Sequence, residues 1–138
     1  MHLAAAIIVV AFGLFLIGFT VVVFVRPTLA ERFLAPFASS ARAHYTEQGF
    51  RLVIGAALIV LAPAMSHPNV FRLIAWAIVI PSVALILAPW QWHQRFGAVV
   101  RPKLIRYMKL FALGLFAFGL LLLYGVFASE SNGITTQG

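Results

Sequence analysis

From Leu3 to Val25 the chain runs about 23 residues without a single charge. As a helix that run is ~34 Å long, enough to cross a ~30 Å hydrocarbon core. A water-soluble fold has no place for such a segment on its surface, and one domain of 138 residues could bury little else. The run is too long for a signal-peptide core of ~7–15 residues, no Lys or Arg precedes it, and positive charge begins only at Arg26. It reads as an uncleaved membrane span.

Three further apolar runs repeat the pattern: Leu52 to Met65, Leu73 to Trp92 and Leu110 to Ala128. The second is short, and Phe50 with a snorkelling Arg51 extends it. Charged residues make up 9% of the chain against about 25% in ordinary soluble domains, which excludes most cytosolic enzymes and nucleic-acid modules. The expected fold is an all-α, integral-membrane four-helix bundle forming one domain over residues 1–138. Its spans cover about 3–25, 50–66, 72–92 and 108–128, with elbows at about 26–49 and 93–107 and a tail at 129–138.

Charge placement orients the spans. Arg26, Arg32, Arg42 and Arg51 fall in the first elbow, and Arg95, Arg101, Lys103, Arg106 and Lys109 in the second, leaving only Arg72 for the opposite side. The positive-inside rule puts both elbows in the cytoplasm and both termini outside. The +7 net charge is therefore expected to meet anionic lipid, with no nucleic-acid partner.

Each half also reads as span, elbow, span. Glu31-Arg32-Phe33 is echoed by Gln94-Arg95-Phe96, and Arg51 with Gly55 by Lys109 with Gly114. Two tandem copies would be related by an axis along the membrane normal. In the first elbow, Thr28 and Glu31 have capping-box spacing, and Leu29, Phe33 and Phe37 predict a short amphipathic helix in the headgroup region. A second helix is expected from about Ala41, carrying His44, Tyr45 and Glu47 into the second span. In the second elbow, Trp90 and Trp92 mark the membrane boundary, and Pro102 suits the first turn of the helix that becomes the fourth span. Lys103, Arg106 and Lys109 then form one basic stripe. Trp90, Trp92, Arg95, Arg101, Lys103, Arg106 and Lys109 are the expected contacts with lipid or a partner subunit.

Groups for chemistry are few. There is no cysteine, the acids are Glu31, Glu47 and Glu130, and the histidines are His2, His44, His67 and His93. No catalytic residue and no metal site is expected. His44 and Glu47, at i and i+3, share a helix face, and with His93 they form the one conceivable cluster; interfacial polar residues are the plainer reading of it. No cofactor is expected either, and His93, beside Trp90 and Trp92, is the only candidate for ligating a haem or a pigment held by a neighbour. Pro81, mid-span, reads as a packing kink whose freed carbonyl Ser82 could satisfy, with a gating hinge as the alternative. Gly13, Gly18, Gly55, Gly114 and Gly119 allow close helix approach.

The stretches "RPTLAERFL…YTEQGFRLVIGAALIVLAP" and "WQWHQRF…LIRYMKLFALGLFAFGLLLLYG" resemble small uncharacterised bacterial inner-membrane proteins of four spans, which repeat a Pro, an Arg-Phe and an Arg before a glycine-bearing span. The resemblance implies a bacterial inner-membrane location and no activity. The expected function is a non-catalytic accessory, structural or assembly subunit of a larger membrane protein complex, a respiratory or photosynthetic assembly being a suitable host. The alternative is a small-solute or ion transporter or channel acting as an oligomer. It would need acids or a polar path inside the spans, and the spans carry no acid.

Overall fold

The computed structural model describes residues 1–36 and 39–135, from 129 onward as helix backbone only. Among the described residues six α-helices follow one another: α1 (His2–Val25), α2 (Pro27–Leu34), α3 (Ala41–Leu61), α4 (Pro68–Leu87), α5 (Trp90–Arg106) and α6 (Met108–Thr135). A 3-10 turn at Ala62–Ala64 extends α3. Four helices are long and apolar enough to cross a membrane: His2–Val25, Ala41–Ala64, Pro68–Leu87 and Met108–Ala128. The chain is an all-α, membrane-spanning bundle.

The span boundaries shift from those expected. The second span begins at Ala41, with the polar residues His44, Glu47 and Gln48 in its first two turns. Ser40 starts it by accepting a 3.2 Å hydrogen bond from the Ala43 N–H, an N-cap interaction. The third span stops at Leu87, because Ala88 is extended and Pro89 follows, so Trp90 and Trp92 belong to α5 instead. Pro102 lies inside α5, not in the first turn of the fourth span, and the break falls at Tyr107. The basic stripe is accordingly divided, Lys103 and Arg106 ending α5 while Lys109 opens α6. At the C-terminus the helix continues through Thr135 into the expected tail, whose last three residues lie outside the described ones.

The first span packs chiefly on the last, and α3 on α4, with α1 against α3 joining the two pairs. Lipid tails are as apolar as the side chains, so close packing and interhelical hydrogen bonds hold such pairs together. Between α1 and α6 the two backbones meet at glycines: a Cβ on Gly119 would stand 2.8 Å from the Gly13 carbonyl oxygen. Two turns along from that approach, the Thr20 hydroxyl lies 2.9 Å from the carbonyls of Leu16 and Ala112, between which its one hydrogen is shared. Gly125 leaves room for the Phe71 ring, which is fully buried with Leu58 and Leu122. Gly18 and Gly114, by contrast, have open space where a Cβ would be and join no helix contact.

Exchanging α1 with α4 and α3 with α6 turns one principal pair into the other, but the packing of α1 on α3 has no comparable counterpart between α4 and α6. The elbows themselves differ. The first, α2, turns back beside α1: the Phe33 ring is tilted against Phe19 and Phe15, with centroids 5.6 and 6.1 Å apart. Ala30 is buried with Val23, Met108 and Ala112, and Leu34 packs on the same cluster. Leu29 and Phe33 stay half exposed, as an apolar stripe open to lipid does, while Ala30 and Leu34 face the core. The stripe's third member, Phe37, lies outside the described residues. The Ser82 hydroxyl donates to the Ile78 carbonyl at 2.8 Å, one residue beyond the Ala77 carbonyl that Pro81 frees.

Gly119→Ala is expected to lower unfolding stability in detergent by about 1–3 kcal/mol, because backbone faces the new methyl. Gly114→Ala should change it by less than about 0.5 kcal/mol, the space there being open.

Candidate functional site

Where α4 ends, the Leu85 carbonyl lacks its usual intrahelical donor. An α-helical carbonyl accepts from the N–H four residues on, and Ala88 duly reaches Ala84 at 2.9 Å. For Leu85 the fourth residue is Pro89, which has no N–H. His44, in the first turn of α3, fills the vacancy with its Nε2, 2.9 Å from the Leu85 oxygen. A carbonyl only accepts, so Nε2 carries a hydrogen, and in the neutral ring Nδ1 then presents a lone pair. That Nδ1 is buried without a hydrogen-bond partner among the described residues.

The same stretch of α3 presents Glu47 and Gln48. Glu47 is held by Arg51 one turn on, Oε1 to Nη2 at 2.6 Å. Its second oxygen, Oε2, is buried, unbonded, and 3.7 Å from Nε2 of His93 in the first turn of α5. The His93 ring also packs on His44, with centroids 4.9 Å apart and planes 50° inclined, while Tyr45 meets His44 edge-on at 5.0 Å. Gln48 is fully buried, with neither amide atom hydrogen-bonded. His44, Glu47 and Gln48 thus carry four buried polar atoms with no hydrogen-bond partner among the described residues, and His93 packs beside them.

The structure therefore joins the three residues that sequence reasoning could only name as a conceivable cluster, and adds Gln48. The signal for Gln48 was present, four residues after His44 and so on the same helix face. It was hidden because a span drawn from Leu52 placed residue 48 in the elbow. Among the described residues no three His, Cys, Asp or Glu side chains are grouped to hold a metal ion. His93, the candidate haem or pigment ligand, turns its Nε2 toward Glu47 inside the cluster. Trp90 is half-buried, unlike the exposed Trp92, and Arg95, Arg101, Lys103, Arg106 and Lys109 are all exposed. Arg106 stands 5.6 Å from the Tyr107 ring centre. Beside it an open groove of about 360 Å³ is lined by Pro27, Glu31, Ile105 and Lys109.

Comparison with known proteins finds no family, no curated protein and no solved structure that matches this chain.

Two buried neighbours one turn apart are expected to respond with opposite signs. His44→Ala leaves the Leu85 carbonyl unpaired and should cost about 1–3 kcal/mol of unfolding stability. Gln48→Leu removes two unpaired amide atoms at similar volume and should add about 1–3 kcal/mol. Thermal unfolding of the purified variants checks both, and a destabilised Gln48→Leu would mean that the amide is hydrogen-bonded in the membrane.

Proposed function

We propose that this chain is a non-catalytic accessory subunit of a larger bacterial membrane protein complex, seated in the cytoplasmic membrane with its basic end inside. The observation that carries the reading is the fate of the mid-span polar groups. Thr20 and Ser82 spend their hydroxyls on helix carbonyls, so neither lines a path for a solute. The groove beside Arg106 and a second, of about 280 Å³ near His2 and Met65, contain none of the buried polar side chains. A packed, apolar interior suits a support better than a conduit.

The exterior suits docking on other membrane helices: Phe15, Phe24, Trp76, Phe111, Phe116 and Phe127 are exposed along the spans. The orientation rests on charge, nine of the ten Lys and Arg lying at the end that carries both elbows. The bacterial inner membrane rests on the resemblance of the elbow motifs.

Affinity isolation from native membranes in mild detergent should recover the chain with a larger assembly. Purified chain in liposomes should carry no flux driven by a pH gradient. Robust uptake abolished by Glu47→Gln would replace the subunit with a transporter. A reporter active only in the cytoplasm should work when inserted near Ser40 or Val99 and stay silent at the C-terminus. Activity at the C-terminus would invert the bundle.

A further inference from the structure

Alone among the helices for which side chains are described throughout, α5 contains no buried residue. Its half-buried residues are Trp90, His93, Gly97, Val100 and Leu104, spaced alternately by three and four, and this stripe is the face it turns to the bundle. The exposed remainder forms two flanks. On one flank stand Trp92, Phe96 and Val99, exposed by 66%, 65% and 68%, with Lys103 in line. On the other flank stand Gln94, Ala98, Arg101 and Ile105.

We propose that α5 is an interfacial helix lying on an anionic leaflet, with Trp92, Phe96 and Val99 in the upper acyl chains and Gln94, Ala98 and Arg101 in water. Depth argues for lipid. The helix is joined to the end of α4 through Ala88 and Pro89 and to the start of α6 at Tyr107, so both its ends are held where spans end. At that level a helix is surrounded by headgroups and upper chains, where a Trp- and Phe-bearing flank is stable. Charge argues for an anionic leaflet. Arg95, Arg101, Lys103 and Arg106 are accompanied by no acid within α5. Lys103 and Arg106 continue the lipid flank and can extend their heads upward to phosphates. The link to the bundle is the polar one already described, His93 against His44 and Glu47.

This goes beyond the subunit reading and does not depend on it, because the test contains no other protein. The chain has no cysteine, so single nitroxide labels can be attached at Ala98→Cys and at Val99→Cys. The full chain is reconstituted in phosphatidylcholine vesicles with or without phosphatidylglycerol. Collision with oxygen reports acyl chains, and collision with a polar nickel chelate reports water. With phosphatidylglycerol, the label at 99 should favour oxygen and its neighbour at 98 the chelate. In neutral vesicles, chelate access at 99 should rise severalfold, and high salt should have the same effect on the phosphatidylglycerol vesicles because it screens the arginines. A label at Leu120→Cys, exposed near the middle of the fourth span, should favour oxygen throughout and so verifies insertion. Chelate reaching 98 and 99 equally in anionic vesicles would overturn the proposal. So would shielding of 99 from both probes, the mark of a protein surface or second copy, and so would indifference of 99 to lipid charge.

Discussion

At the basic end everything depends on the hydrogen bond from His44 to the Leu85 carbonyl. Pro89 creates the need for it by withholding an N–H, and His44 meets the need from a different helix. The bond ties the start of α3 to the end of α4, and with it the turn from which α5 departs. It also requires a hydrogen on Nε2, which in the neutral ring leaves Nδ1 as an acceptor in the cluster that His93 packs against. One proline thus accounts for a helix end, a tautomer and the position of a polar cluster.

The middle of the bundle obeys a different rule. There the solvent is hydrocarbon, and helices gain by approaching closely and by leaving no polar group unpaired. Gly13 and Gly119 permit the approach of the first and last spans, and Thr20 pairs across them. Ser82 folds its hydroxyl onto its own helix near Pro81. Unpaired polarity is instead concentrated near the interface, where water and headgroups are within reach and the cost of burying it is lowest. That division fits a bundle whose interior supports and whose basic end makes contacts.

Four spans, two elbows and the grouping of nine cations were legible because each is a property of long runs: apolar length and net charge survive small errors of boundary. What failed were features decided by one residue. Pro102 looks like a helix start by local preference, but α5 carries it in its interior and the chain breaks at Tyr107 instead. That α2 also packs on the bundle through Ala30, against Val23 and Met108, was not legible, because only the tertiary contact distinguishes that small residue from its apolar neighbours. Gly18 and Gly114 are indistinguishable in sequence from Gly13 and Gly119, because only the partner helix decides which glycine is a contact. His44 and Glu47 were visible as a pair on one face. The arrival of His93 was not, since it depends on where α4 stops and in which direction α5 leaves.

The central claim, that Pro89 hands the Leu85 carbonyl to His44, is most directly tested by nitrogen-15 NMR of the histidine rings in the full chain in bilayers at alkaline pH. The expected spectrum has a His44 ring with hydrogen on Nε2, hydrogen-bonded to a carbonyl, and a bare Nδ1. A His44 ring with its hydrogen on Nδ1 and a bare Nε2 would contradict the claim, because a bare nitrogen has nothing to donate to Leu85.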